Sequence, residues 1–389
     1  MKNALHWLQE RLYPTPKEED LFPPAPNLDK LPEPYLRRFS LSPVQEPAQV
    51  IGRGGEEGEL KEIEEAWKHW KTYHTPLLLD SEPGIGMTSL LMAALPMFDC
   101  PYFFVEDKER ITNGEELLPV LANALGVEPA ESLDALSGVK LEKPRVVIFE
   151  NVERLFLRRI GGYGLLRDFL HFVNATRQQV FWIVSINDYS LYFLNRAMNF
   201  SANFQARKVA RLSNELIREI VLTRNEGFEM AFFKPESLSR RHKLSLARMS
   251  HASRQESLKE DFFERLVQFA GGNISRAIVF WLSAAQGLKS DTVFLKMPSV
   301  AKPQAVSLEE LLVLEAVFQH TSLSFEEVEG VFRHSSHNGR LLLDRLLSRG
   351  WLYPRCLRSG VQEYQVNFWY LHELKQLLKS ELNRKIHEE

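Results

Sequence analysis

The sequence predicts an α/β chain: a parallel sheet clothed by helices, then a helical region, then a small domain of three helices and a hairpin. Three observations predict it. Leu77-Leu78-Leu79, Tyr102-Phe103-Phe104-Val105, Val146-Val147-Ile148-Phe149 and Val180-Phe181-Trp182-Ile183-Val184 are short unbroken apolar runs. Such runs suit strands covered on both faces, because a strand with one wet face alternates instead. Helical patterns, such as Leu90 to Leu95 and Leu165 to Val173, separate the runs. Near the C-terminus, amphipathic helical segments are followed by two strand-like segments around Arg358-Ser359-Gly360.

Taken in order, residues 1–45 read as a proline-rich arm. Ala4, Leu5, Trp7, Leu8 and Leu12 make one short amphipathic stripe. Pro14, Pro16, Pro23, Pro24, Pro26, Pro32, Pro34 and Pro43 follow, a density that predicts extended segments and no packed helix. The arm either wraps its own body, the favoured reading, or docks on a partner. Residues 46–205 carry the β-α alternation of a sheet with helices on both faces. Residues 206–301 read as mostly helical, with a basic, serine-rich insertion from Glu236 to Ser257 that holds Arg240, Arg241, Lys243, Arg248 and Arg254. Its poor periodicity predicts a mobile loop. Lys302-Pro303 marks a linker, and residues 306–389 form the last domain.

Composition excludes several classes. The chain of 389 residues has ample length for more than one buried core. Its formal net charge of −3 argues against a blanket nucleic-acid binder, so any such role needs a local patch. Cys100 and Cys356 stand far apart without metal-ligand spacing, which predicts no structural disulfide and fits a reducing compartment. No apolar run approaches the length of a membrane span. The N-terminus, with Lys2, His6, Glu10 and Arg11, lacks the apolar stretch of a signal peptide. A cytoplasmic protein is the expectation.

The segment Ser81-Glu82-Pro83-Gly84-Ile85-Gly86-Met87-Thr88-Ser89 follows a strand and opens a helix. That is the context of a phosphate loop, in which backbone N–H groups and a helix N-terminus hold phosphate oxygens. Gly84 and Gly86 free the backbone, and Thr88 is placed to offer a hydroxyl to Mg²⁺. Two positions depart from G-x-x-x-x-G-K-[ST]: Ser81 replaces the first glycine and Met87 the lysine. A thioether brings no positive charge to the phosphates. The strand Arg145 to Asn151 ends in Glu150-Asn151, where an active enzyme of this kind places an aspartate for the metal and a glutamate for the attacking water. Glu150 can still serve Mg²⁺, whereas Asn151 cannot accept a proton.

These residues resemble the AAA+ superfamily, particularly its replication-initiator and STAND-like members. Ile51-Gly52-Arg53, with Glu56, Glu57 and Leu60, is similar to the box that lies against the nucleotide base. Ser185-Ile186-Asn187 resembles sensor 1, with Asn187 near the γ-phosphate. Leu194-Asn195-Arg196, then Phe204 and Leu212-Ser213-Asn214-Glu215, resembles the stretch that bears an intersubunit arginine. Arg196 is its match, and Asn203 stands where a second arginine is common. Gly271-Gly272-Asn273-Ile274-Ser275-Arg276-Ala277 resembles the sensor 2 helix of a helical lid, with Arg276 reaching back to the phosphates. The resemblance implies a parallel-sheet core, a helical lid over residues 206–301 and a C-terminal winged helix. It implies ATP or ADP, with Mg²⁺, bound by Gly52, Arg53 and Glu82 to Ser89. Glu150, Asn187 and Arg276 are the candidate catalytic residues, and Thr88 and Glu150 the candidate metal ligands.

The last domain reads as helices at Leu308 to Phe318, from Ser324-Phe325 onward, and at Ser335 to Ser348, with Leu341, Leu342, Leu346 and Leu347 as the buried stripe of the third. Gly350-Trp351-Leu352 enters a strand and Gln362 to Phe368 returns. Winged helices often lay the third helix in the major groove. Arg333, Arg340, Arg345, Arg349, Arg355 and Arg358 face only Asp344 in that stretch, a basic patch for DNA or a partner. A single arginine finger is worth about 10³–10⁵ in rate, so losing the loop lysine and the water-orienting carboxylate predicts weak nucleotide binding with little hydrolysis. Three functions stay open. The first is an adaptor or scaffold in a larger homo- or hetero-oligomeric assembly. The second is an initiator-like DNA-binding protein, and the third an ATPase activated by a partner subunit.

Overall fold

Strand β1, Leu77–Ser81, is buried along its whole length because a parallel neighbour lies on each side and helices cover both faces. In this computed structural model the described residues are 28–44, 46, 49–55, 58–105, 109–234, 248–299, 307–332, 336–357 and 359–388. The stripe from Ala4 to Leu12, the prolines from Pro14 to Pro26, Glu56 and Glu57, and Arg240, Arg241 and Lys243 lie outside them. So do the linker Lys302-Pro303 and the two arginines Arg333 and Arg358.

The core sheet runs β2-β3-β4-β1-β5, all parallel. Its strands are β1, β2 (Tyr102–Val105), β3 (Arg145–Phe149), β4 (Val180–Asn187) and β5 (Gln205–Lys208). Helices α2 (Glu59–Tyr73) and α3 (Met87–Ala94) cover one face. There Leu77, Leu79, Val146, Ile148, Phe181 and Ile183 pack with Trp67 and Trp70. The alternate residues Leu78, Val147, Phe149, Trp182 and Val184 point the other way, as the period of two in a strand demands. They meet α4 (Gly114–Leu125), α5 (Leu133–Ser137), α6 (Gly164–Thr176) and α7 (Asp188–Met198). Strand β5, with the sequence Gln-Ala-Arg-Lys, is a polar edge strand and carries no apolar run to announce it.

The region read as mostly helical is mixed. Helices α8 (Asn214–Arg224), α9 (His251–Ala270) and α10 (Ile274–Ala284) pack with a small sheet of β6 (Glu229–Phe232), β7 (Ala285–Lys289) and β8 (Thr292–Leu295). These strands are too short to show a period. Residues His251 to Ser257, read as part of a mobile loop, form the first turns of α9, started by Ser250, which caps it from the Ser253 amide.

The arm holds a packed helix, which its prolines argued against. Glu33–Arg38 form a short helix, α1, with Pro34 in its first turn, where a proline has no hydrogen bond to break. Tyr35 and Phe39 are buried against the lid. The Phe39 ring stacks on Trp281 at 5.3 Å, the Trp281 indole donates to Tyr35 Oη at 3.0 Å, and Tyr35 donates to Asn225 Oδ1 at 2.9 Å.

The C-terminal domain consists of α11 (Leu308–His320), β9 (Ser322–Ser324), α12 (Phe325–Phe332), α13 (Ser336–Ser348), β10 (Leu352–Cys356) and β11 (Gln362–Val366). Its antiparallel sheet runs β10-β11-β9, which is a winged helix. The final helix, α14, spans Leu371–Glu388. On α13 the buried leucines are Leu342, Leu343 and Leu346, while Leu341 is exposed, so the stripe is rotated by one residue from the expected one. A single apolar cluster runs through lid and winged helix, joined where Phe269 meets Trp369 at 4.6 Å. Among the described residues no helix is long and apolar enough to cross a membrane.

Phe39→Ala empties a stacked, fully buried site, at a cost of about 3–5 kcal/mol. The expected outcome is a urea unfolding transition of the lid moved to lower concentration, read from Trp281 fluorescence.

Candidate functional site: a phosphate loop closed by its own chain

The turn between β1 and α3 is bent left-handed at Gly84 (φ 86°) and Gly86 (φ 91°). Only glycine takes such angles without strain. At Gly84 there is no room for a side chain either: a Cβ there would lie 2.6 Å from Phe368 Cε1 and 2.9 Å from Ser275 Cβ. Helix α3 starts at Gly86 without a side-chain cap, which suits a helix N-terminus that holds an anion.

The groups around this cradle are bound elsewhere. Ser275 N–H donates to the Gly84 carbonyl at 3.0 Å and Asn273 Nδ2 to the Pro83 carbonyl at 2.8 Å, so the first turn of α10 is hydrogen-bonded to the loop. Ile85 is buried, and its carbonyl accepts from Arg53 Nη2 at 2.9 Å. Arg53 also donates to the Ala210 carbonyl at 2.8 Å and pairs with Glu59. Gly52 (φ 78°) fits tightly under Leu216 of α8. The Gly52-Arg53 segment thus ties the loop to the lid. The half-buried Met87 side chain packs against the apolar cluster of Ile85, Leu90 and Leu91 and brings no positive charge to the loop. The Ser89 hydroxyl accepts from the Val44 amide at 2.9 Å.

Thr88 and Glu150 come together as the spacing suggested: the Thr88 hydroxyl donates directly to the buried Glu150 carboxylate. Asn151 (φ 53°) starts a turn and donates its N–H to Ser185 Oγ at 3.0 Å. Arg276 and Asn187 depart from their expected roles. Arg276 is buried and forked onto Glu373 of α14 at 3.0 and 3.2 Å. Its Nε donates to the Phe269 carbonyl at 2.9 Å, and its guanidinium lies 4.3 Å from the Phe269 ring. A buried guanidinium needs a carboxylate, and Glu373 supplies it. Asn187 caps α7 from the Ser190 amide at 2.8 Å, and its Nδ2 donates to Glu153 Oε1 at 2.8 Å and to Thr321 Oγ1 at 2.9 Å. Arg196 is exposed on α7 and donates to Tyr192 Oη at 2.9 Å.

A backbone cradle with these surroundings fits a phosphate only in part. No ammonium stands in the loop, Thr88 and Glu150 are already mated, and the outer side is covered by Asn273, Ser275 and Phe368. In this closed arrangement the residues do not fit a triphosphate with Mg²⁺.

The order β2-β3-β4-β1-β5, the loop leaving the C-terminal end of β1, the lid above it and the winged helix after the lid settle the architecture. The fold is a P-loop-type α/β core with a lid and a winged helix. No family model matches the sequence, and no curated protein matches it. Among solved structures, it is similar to the Orc1 protein of Aeropyrum pernix in complex with DNA, at 15% identity, covering 89% of this chain and 98% of that one, with a TM-score of 0.45. It is similar to Cdc6p of Pyrobaculum aerophilum at 15% identity, with the same two coverages of 89% and 98% and a TM-score of 0.37. A Walker-type ATPase of Pyrococcus abyssi matches at 14% identity over 87% of this chain and 99% of that one, with a TM-score of 0.38.

Sequence reasoning missed the residues that join the winged helix to this core. Arg154, just beyond β3, forks onto Glu363 of β11 at 2.7 and 3.1 Å, with both side chains buried. Burial pushes the Glu363 carboxyl up, but Arg154 more than offsets it and holds the group below its ordinary range. Arg110 donates to the carbonyls of Phe156 and Ser322 at 2.9 Å each and pairs with Glu327. The Ser359 amide of the wing donates to Glu109 at 2.9 Å. His320 is buried in the same joint. Burial, then the charges of Arg110, Arg158 and Arg154, push its pKa well below 6.5. Its Nδ1 has no hydrogen-bond partner among the described residues. The one signal in the sequence was a run of charges, Glu150 to Arg154, directly after an apolar strand.

Of the basic patch, Arg340 and Arg345 are exposed on α13. Arg349 lies 3.6 Å from Glu310 and 5.0 Å from the Trp351 ring, and Arg355 stands in β10 opposite Glu363 in register.

The buried neutral imidazole makes stability depend on pH. A depressed His pKa means the unfolded chain binds the proton first, so stability is lost as pH falls below about 6.5, by up to about 1.4 kcal/mol per unit. Glu153, whose burial raises its pKa, has the opposite sign: its contribution is full below its ordinary value and is lost as pH rises. Comparison with His320→Gln isolates the first effect. The variant is expected to show a flatter midpoint-against-pH profile between about pH 7 and pH 5 in urea melts.

Proposed function

We propose that this chain is an adaptor or scaffold built on the AAA+ fold, which binds ATP or ADP weakly and hydrolyses it very slowly. One observation carries the reading: the phosphate loop is hydrogen-bonded to the lid through Ser275 N–H and the Gly84 carbonyl at 3.0 Å, with Phe368 against Gly84. Nucleotide must therefore open the lid before it meets the cradle, and affinity falls by the fraction of chains that are open. Met87 in place of the lysine weakens what remains, and Asn151 cannot act as the base that orients water.

The winged helix fits protein docking better than groove reading. Its wing is held to Glu109, and Arg349 is spent on Glu310 and Trp351. The exposed Arg340 and Arg345 remain for a partner or for DNA. A DNA reader of this kind loses affinity steeply as salt rises. Absence of binding to duplex or single-stranded DNA at low salt removes that alternative.

Calorimetry with Mg-ATP and with ADP is expected to give dissociation constants on the order of a millimolar. Steady-state turnover is expected far below about 1 s⁻¹. Turnover at or above that rate overturns the inactive half of the reading. Micromolar affinity in the unaltered chain overturns the closed-loop half. Turnover that arises only on mixing with a co-purifying subunit points to the partner-activated ATPase instead.

A further inference from the structure

The phosphate loop carries its own carboxylate, and two cations from outside the loop are spent on it. Glu82 is buried, two residues before Gly84. Arg211, which follows β5, donates to Glu82 through Nε at 2.9 Å and pairs through Nη2. Lys375, from α14, places its ammonium 3.3 Å from the same oxygen. Asn273 Nδ2 lies 3.5 Å from the other oxygen. Lys375 is buried too, with Asp188 Oδ2 at 3.4 Å and the Tyr189 ring at 4.7 Å. A guanidinium, an ammonium and an amide converging on one carboxylate form the donor set of an anion site. Here its occupant is a side chain of the loop itself.

We propose that Glu82 is an internal stand-in for an anionic ligand, so that the chain holds a self-blocked polyphosphate site whose cations, Arg211 and Lys375, come from outside the loop. This rests on the weak-nucleotide reading above and deepens it. The missing loop lysine has a substitute in Lys375, on the far end of the chain. That substitute reaches a phosphate only when Glu82 releases it. Nucleotide and the closed winged helix then compete for the same cations. A partner that draws α14 away moves Lys375 from the site, and one that displaces Glu82 opens it.

The physical argument is one of charge. A polyphosphate entering beside an ionised Glu82 meets like charge at short range in a buried setting, where such repulsion is poorly screened. Removing that charge while keeping the shape frees Arg211 and leaves Lys375 with Asp188 as its one remaining carboxylate among the described residues.

The test uses the full chain and a fluorescent ATP analogue. Glu82→Gln is expected to tighten binding by about tenfold or more, and the double variant Glu82→Gln with Lys375→Met is expected to lose that gain. Glu82→Ala serves the same comparison if the amide disturbs folding, which a thermal melt reports. A folded Glu82 variant with no gain overturns the proposal, as does a gain that persists without Lys375. Met87→Lys separates the two readings. If it binds the analogue while the Glu82 variants gain nothing, the loop is a nucleotide site and only the stand-in proposal fails. If none of these variants binds at millimolar analogue, both the nucleotide half of the earlier reading and this proposal fall.

Discussion

Charge burial at one joint governs this molecule. The winged helix and α14 meet the core through ion pairs that lie almost wholly out of water, Arg154 with Glu363 and Arg276 with Glu373, and through Lys375 between Glu82 and Asp188. A buried charge that loses its partner is far more costly than the pair is stabilising. Breaking any one of these contacts alone is costly, which favours the arrangement seen here. Glu82 shows the consequence. Burial pushes its carboxyl up, yet Lys375 and Arg211 outweigh that and keep it below the ordinary range. Asp188 lies in the same cluster and goes the other way: burial raises it, Lys375 opposes the rise and Glu82 adds to it. One ammonium cannot fully compensate two carboxylates.

That joint converts the parts of a nucleotide site into parts of an interface. Asn187, at the end of β4, spends its amide on Glu153 and Thr321, so it bridges core and winged helix. Arg276 spends its guanidinium on Glu373. Thr88 spends its hydroxyl on Glu150. The backbone keeps the shape that phosphate binding needs, with left-handed Gly84 and Gly86 and an uncapped α3. Glycine angles and helix starts are set locally, so they survive the loss of charged partners. Side-chain roles depend on what stands opposite, and here carboxylates of the chain stand opposite.

The lid and the arm extend the same logic with apolar contacts. Tyr35 and Phe39 lock the described part of the arm under Trp281, and Phe269 and Trp369 merge the lid with the winged helix into one cluster. Aromatic packing of this extent is close-fitting and resists small displacements. Movement of the lid off the phosphate loop thus involves the last domain as well as the lid.

The sequence by itself determined the central strands, the bent turn after β1, the helix that follows it and the three helices and hairpin of the winged helix, but not its strand β9. These depend on period, on glycine and on residues a few positions apart, all visible in one dimension. It also determined that Met87 brings no charge. Only the tertiary structure decided where the charged side chains went. Arg276 could pair with any of many carboxylates, and nothing near it in sequence singles out Glu373. Nothing near Lys375 points to Glu82 at the other end of the chain. Short or polar strands such as β5 and β6 escaped for a related reason: their pairing comes from the neighbour, with no pattern of their own. Ion pairs between distant residues are chosen by burial and geometry, and those exist only once the chain has folded.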